Sequence, residues 1–289
     1  MIPQGLAHFL NRDRALLARG PVALLFAEDE VELPSTLRHH LAAGFRQVLA
    51  FLPEGIDLPD EFAATVRAIR HDTRAEGAVP AAVNAVIDAA PPGTWLYYGY
   101  NAEYLFYPFA ETRSVGEMLT FHTEERRGAM LCTVVDLYAG DLGRAPSGVS
   151  VEEAMFDTAG YYPLPRWDEE TEVEQERQVD LFGGLKWRFE EHVPWTRRRI
   201  DRIALFRTEP GLRLLPDHRL SVEEMNTFAC PWHHNLTAAI ASFRTAKALR
   251  RNPASRHAVT GFVWPRSARF EWRAQQLMDA GLMEPGQWF

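Results

Sequence analysis

The stretch from Pro91 to Phe109 constrains the fold more than any other part of the sequence. Pro91-Pro92-Gly93 breaks what precedes it, and Trp95-Leu96-Tyr97-Tyr98 follows as an aromatic run that favours extended backbone and is closed by Gly99. A run so apolar, bounded by turn formers, predicts a buried central strand. Tyr104-Leu105-Phe106-Tyr107 opens a second apolar segment, so five of the eight tyrosines lie between Thr94 and Phe109. Asn101 and Glu103 fall just past the strand's end. In an open α/β sheet, ligands bind in the crevice outside the carboxyl ends of the strands, which makes these two polar residues site candidates.

The flanking sequence supplies the rest of such a sheet. Val22 to Phe26, after Gly20-Pro21, reads as a short buried strand, and Val31 to Ala43 as a helix. Glu28, Asp29, Glu30 and Glu32 lie at the positive end of its dipole, and Gly44 closes it. Phe45 to Leu52 is a second strand, and the strand, helix, strand order implies a parallel pair with a right-handed crossover. Asp60 to Ala68 and Ala75 to Ala90 read as helices around a short strand at Ile69 to His71. Ser114 is an N-cap with Glu117 at the capping-box position. Ala129 to Tyr138 is an apolar, β-branched strand. From Ala139 to Val179 the pattern fades into a loop-rich insertion with one short helix near Val151 to Ala159. Arg202 to Arg207 is a further strand, Leu236 to Arg250 a helix, and Ala268 to Ala280 a last helix ended by Gly281. The expected fold class is α/β with a mostly parallel central sheet flanked by helices. Residues 1–250 make one domain, and 251–289 form a basic C-terminal arm.

At 289 residues and 46% apolar composition the chain can bury a sizeable core. Its net charge of −8 and pI near 5.7 argue against nucleic acid as a partner. Charge is unevenly spread. Six of the nine residues from Asp168 to Glu176 are acidic, whereas Met225 to Phe270 contains no Asp or Glu and seven basic residues. That basic region, with Trp264, Phe270 and Trp272 among its arginines, suits either an anionic membrane surface or a solvated face covering the acidic insertion. Cys132 and Cys230 are too few for a disulfide framework, the N-terminus lacks the pattern of a signal peptide, and no apolar run reaches the roughly 18 residues of a membrane span. The expected location is the cytoplasm, with peripheral contact to the inner membrane face as one role of the arm.

Several short motifs, in order over some 200 residues, resemble those of GT-A-fold, family-2-like bacterial glycosyltransferases. There a Trp is followed five residues on by Asp-x-Asp-Glu-Phe at the end of a central strand. Here Trp95 takes the Trp, Glu103 the Glu and Tyr104 the Phe, while the two metal-binding aspartates fall on Tyr100 and Ala102. Glu28-Asp29-Glu30, His39-His40 and Gly44-Phe45 sit where the family has its first donor-side motifs, and Phe182-Gly183-Gly184 with Lys186 and Arg188 where it has its acceptor-side motif. Arg202, Arg207 and the later His218 match its closing pattern. The turn Leu52-Pro53-Glu54-Gly55-Ile56-Asp57 lacks the family's Ser-x-Asp.

The resemblance implies inverting transfer of a sugar from a nucleotide-sugar donor to a cell-surface or exported glycan. A divalent cation, Mn or Mg, neutralises the donor diphosphate in the family, and hard cations need the oxygen ligands that Tyr100 and Ala102 do not supply. A metal-free version would have to rely on Lys186, Arg188 and Arg202, with Glu30, Tyr100 and Asn101 also on the donor side. Gly183 and Gly184 are either a backbone nest for phosphate or a tight turn. Glu103, Asp136 and Asp180 are the candidate bases for the acceptor proton, with a capping or ion-pairing role as the alternative for Glu103. His218 is a metal or phosphate partner, or a loop histidine. Cys230-Pro231-Trp232-His233-His234 offers His233 and His234 to zinc, or packs at the start of the helix that follows. The rival to the transferase is an inactive relative that binds sugar, nucleotide or a protein partner, and a third expectation is a membrane-peripheral scaffold.

Overall fold

Five apolar residues in a row give a strand no polar face to turn to water, and Val22–Phe26 is accordingly buried at every position. The computed structural model describes residues 4–168, 170–227 and 235–288. Its chain packs as two units. The first holds the described residues up to Tyr104, with Thr112–Leu131 and Ile203–Asn226; the second holds Leu105–Glu111, Cys132–Arg202 and the described residues from Thr227 on.

The chain enters through β1 (Gln4–Gly5), α1 (Leu6–Arg12), β2 (Val22–Phe26), α2 (Leu33–Ala42), β3 (Gln47–Leu52), β4 (Val66–Arg70), α3 (Ala78–Ala89) and β5 (Trp95–Tyr100). β2 lies between β3 and β5, parallel to both, with Leu24 opposite Leu49 and Tyr98. β4 continues the parallel set beside β3, and β1 beside β4. The tight turn after β5 leads into β6 (Glu103–Phe106), then α4 (Val115–Glu124), whose capping box between Ser114 and Glu117 is formed as expected. The aromatic strand is thus central to its unit, as its composition required.

The second half contributes β7 (Ala129–Ala139), β8 (Ala154–Asp157), β9 (Tyr162–Asp168), β10 (Val173–Phe182), α5 (Gly184–Arg188), β11 (Asp201–Arg207), β12 (Ala238–Ser242), α6 (Arg244–Arg251), β13 (Ser267–Arg269) and α7 (Ala274–Asp279). β11 runs antiparallel to β5, with Leu205 opposite Tyr97. In the second unit β12 is parallel to β7, β8 is antiparallel to β7, and β13 is antiparallel to β8. The protein is α/β, but its central sheet is mixed where the sequence pointed to mostly parallel pairing. β9 and β10 form a separate antiparallel hairpin, with Tyr162 opposite Phe182. No described helix is long and apolar enough to cross a membrane.

Four expected elements differ, for traceable reasons. The helix over Asp60 to Ala68 is a single turn, Asp60–Phe62, followed by β4. Val66 and Ile69 are its buried residues, and their three-residue spacing imitates a helical face. The helix expected from Leu236 begins only at Arg244. Ala238 to Ser242 is a fully buried strand, in which pairing with β7 outweighs the helix preference of alanine. The short helix near Val151 is instead β8, and the loop-rich insertion is largely the β9–β10 hairpin. The last helix is shorter than expected, with β13 ahead of it.

Candidate functional site

The residues expected at a site fall into two groups, one in each unit. In the first, the turn from β5 to β6 is a latch. Asn101 is 1% exposed, and its amide donates to Asp29 Oδ1 (2.7 Å) and to the Val31 carbonyl (2.8 Å), while its Oδ1 accepts from the Glu28 amide (2.9 Å). Every polar atom of that side chain therefore serves to fix the loop between β2 and α2. Ala102 adopts the left-handed backbone conformation (φ 59°), and its amide donates to Thr36 Oγ1. Glu103 is equally buried and turns its Oε2 back to accept from the Tyr100 amide at 3.0 Å. Tyr100 is buried beside Phe26, whereas Glu30 stands exposed in the loop.

A divalent cation does not fit this turn. Tyr100 and Ala102 offer no carboxylate, Glu103 is directed at its own backbone, and the described residues contain no group of three or more His, Cys, Asp or Glu side chains placed to hold a metal ion. His218 lies in the same unit with its ring stacked on Tyr98 and its Nδ1 3.0 Å from the tyrosine hydroxyl. A cleft of about 750 Å³ opens at the other end of these strands, lined by Arg46, Trp95, Ser114, Glu117, Thr120 and Glu124 among others. Its threonine hydroxyls at Thr120 and Thr123 are already donated to helix carbonyls.

In the second unit the sequence candidates Asp136, Gly183, Gly184, Lys186 and Arg188 come together. Asp136 is 1% exposed on β7; its Oδ2 accepts from the Leu185 amide at 2.9 Å, and its Oδ1 has no hydrogen-bond partner among the described residues. Burial pushes its carboxyl up to about 6, against the pull of the Lys186 ammonium and the Thr245 hydroxyl and helped by the Asp157 carboxylate. Glycine is required at the turn that seats it: at Gly184 (φ 62°) a Cβ would lie 2.8 Å from Asp136 Oδ2, and at Gly183 a Cβ would meet Tyr161 and the Gly160 carbonyl. Lys186 Nζ donates to the Arg199 carbonyl at 2.7 Å.

Asp157, at the end of β8, is the hub of the cluster. It accepts from the Tyr138 hydroxyl, from Arg188 (3.0 and 3.2 Å) and from Trp264 Nε1 (2.7 Å). Arg188 also donates to the Phe262 carbonyl and lies over the Trp264 ring. Tyr161 donates to the Asp157 carbonyl, and burial, then Asp157 and Asp136, push its phenol well above the usual range. Of the remaining candidates, Asp180 belongs to an ion network at the root of the hairpin. Asp180 pairs with Arg166 (2.9 Å) and Arg199 (3.4 Å), and Arg199 with Asp201 (2.9 Å). Arg202 is buried on β11. His233 and His234 lie outside the described residues.

No protein-family model matches the chain, and no curated protein does either. The chemistry must be argued from the residues themselves. The sequence singled out Asp136 and the Gly-Gly turn but passed over Asp157, Tyr138 and Tyr161, and gave Trp264 only to the basic C-terminal region. Asp157 was hidden because Ala154-Met155-Phe156 has the composition of a helix, and so short an apolar run has no alternation to mark it as a strand.

Proposed function

We propose that the chain is a glycosyltransferase-related protein in which Asp136 takes the proton of an acceptor hydroxyl as that oxygen attacks the sugar of a nucleotide-sugar donor. The observation that carries this reading is Asp136: a buried carboxylate, seated on a glycine turn, with one oxygen lacking a hydrogen bond and a pKa raised to about 6. A base with that pKa is ionised at neutral pH and basic enough to accept a proton there. The short-range positive charge of Lys186 favours the ionised form.

One observation favours a second reading, a protein that binds sugar or nucleotide without transfer. Lys186 and Arg188, two of the three cations expected to replace the metal, are both engaged by protein acceptors. Calorimetry with UDP, GDP and their sugars, with and without manganese, separates the two. Metal-independent binding followed by nucleotide release on adding an acceptor supports transfer. Asp136→Asn should then slow release at least about 100-fold with binding retained. Binding without release in the wild type leaves the binding protein, and no binding to any nucleotide sugar removes the transferase.

A further inference from the structure

Phe270 is 2% exposed and Trp272 lies edge-on against it, so two of the three aromatic residues of the basic C-terminal region pack inward. The third, Trp264, sits in the second unit beside Trp187, with the two rings 6.3 Å apart. Trp187 is 40% exposed, and Val263, next to Trp264 in the chain, is 53% exposed. A Cβ at Gly160 would lie 3.0 Å from the Trp187 ring and 3.8 Å from the Trp264 ring, so both indoles are laid over that glycine. Single exposed apolar residues need no explanation, but Trp187 and Val263 adjoin the same residue.

Val263 belongs to residues 252–266, which follow α6 without helix or strand. Loops of about 12–15 residues with no secondary structure are uncommon in compact domains and usually functional. This one is pinned in place. The Ser255 hydroxyl donates to the Leu249 carbonyl at 2.8 Å, and the Arg250 guanidinium donates to the Arg256 and Val259 carbonyls at 2.7 and 2.6 Å. Val259 and Phe262 are buried with Tyr138, Ala246 and Leu249. The Ser267 amide donates to the Trp264 carbonyl at 2.9 Å, which closes a tight turn with Pro265 and Arg266 exposed at its tip. The loop is thus held at several points while it presents Val263, Pro265, Arg266 and, nearer α6, Arg256 to solvent.

We infer that Trp187, Val263 and the exposed arginines of this loop form a surface that docks on an anionic lipid membrane. Charge argues for an anionic occupant: Met225 to Phe270 contains no Asp or Glu and seven basic residues, and Arg256 and Arg266 have no carboxylate partner among the described residues. The apolar residues argue for lipid. Val263 and Pro265 offer the side of a nucleic acid neither charge nor hydrogen bond, whereas aliphatic and indole side chains enter the headgroup boundary of a bilayer while arginine meets its phosphates.

The acidic groups of this unit leave that field intact. Asp157 is paired with Arg188, Glu190 with Arg198 at 2.8 Å, and Glu191 lies 3.6 Å from His192. Residues 140–150, whose Gly148 packs on Phe262, carry Asp141 and Arg144 and so no net charge. Asp168, Glu170, Glu172 and Glu174 are at the tip of the β9–β10 hairpin, about 20 Å from its root at Tyr162 at about 3.3 Å per residue, and beyond the roughly 8 Å over which charge acts at physiological salt. The surface makes no use of Asp136, so it stands or falls apart from the transferase reading.

The test sediments the full chain with vesicles of phosphatidylcholine alone or with about one-third phosphatidylglycerol. The protein should pellet with the second and stay in solution with the first, and raising the salt from about 0.05 to about 0.5 M should release it. Arg256→Gln with Arg266→Gln should weaken binding at least about tenfold, and Val263→Ser about threefold. Arg256→Lys with Arg266→Lys, which keeps both charges, should bind as the wild type does. Arg12→Gln with Arg14→Gln removes two exposed charges from the first unit and should leave binding unchanged. All these side chains are exposed, so the thermal midpoints should match the wild type. No pelleting with either vesicle, equal pelleting with both, equal losses from the two glutamine pairs, or duplex DNA bound as tightly as the anionic vesicles would each overturn the proposal.

Discussion

His40 in the first unit and Asp136 in the second are both almost wholly buried, both carry an atom without a hydrogen-bond partner among the described residues, and both have pKa values moved mainly by burial. Burial opposes charge in each, with opposite results. His40 is driven down to about 3, so it is neutral at pH 7, and its unpartnered Nε2 is a neutral nitrogen stacked against Tyr97. Asp136 is driven up only to about 6, so at neutral pH its unpartnered oxygen belongs to a charged group. The same desolvation makes a structural residue of the base and leaves chemistry in the acid.

The largest effect should come from breaking the surroundings of Asp136. Asp157→Ala removes the acceptor of Arg188, Tyr138 and Trp264, leaving a mostly buried guanidinium unpaired, and should cost about 4 kcal/mol. Urea unfolding would show this as a lower midpoint. A loss below about 1 kcal/mol would mean that Asp157 does not organise the cluster.

For His40 the folded pKa lies below the unfolded value of 6.5, so its contribution is intact above pH 6.5 and is lost as pH falls toward 3. At pH 4 the loss is about 3 kcal/mol. His40→Phe should therefore narrow the gap in unfolding free energy between pH 7 and pH 4 by that amount. An unchanged gap would place the acid sensitivity elsewhere, His122 being the next candidate, since burial pushes it down to about 4.

How much of this contrast could be read from the sequence differs between the units. Strands β2, β3 and β5 were legible because continuous apolar runs between turn formers have few other solutions, and the Ser114 to Glu117 box because its spacing is local. In the second unit, β8 and β12 are short, rich in alanine or methionine, and extended only because neighbours distant in sequence pair with them. Asp136 and Gly183-Gly184 could be named singly. Their meeting depends on packing between segments almost 50 residues apart, and Asp157 lies on a segment whose form the sequence left obscure.

Asp136 itself should behave opposite to His40. Its folded pKa is above the ordinary 3.8, so the penalty of its charge is absent below about pH 4 and complete above about pH 6. Asp136→Asn should stabilise the protein at pH 8 by about 2 kcal/mol, allowing for an amide group left without a partner, and change little at pH 4. Equal effects at both pH values would remove the charged, desolvated carboxylate from the argument.

The smallest change serves as the control. Ser114 caps α4 in the first unit, its hydroxyl accepting from the Glu117 amide (3.3 Å) while its own amide donates to Glu117 Oε2 (2.8 Å). Two contacts to Glu117 Oε2, the Ser114 amide first and then the Ser114 hydroxyl, which donates to it at 2.7 Å, hold the Glu117 carboxyl below its usual range. Ser114→Ala should lower stability by about 1 kcal/mol at pH 7, the ordinary worth of an N-cap hydroxyl. It should also raise the Glu117 pKa, followed by NMR titration of the carboxyl, because the second of the two contacts is gone. Neither the pH 8 gain of Asp136→Asn nor the pH 4 behaviour of His40→Phe should change in its presence, since a cap acts within the first turn of its helix. If either shifted by more than about 0.5 kcal/mol, the opposed pH responses would belong to the protein's total charge and not to two buried groups in two separate environments.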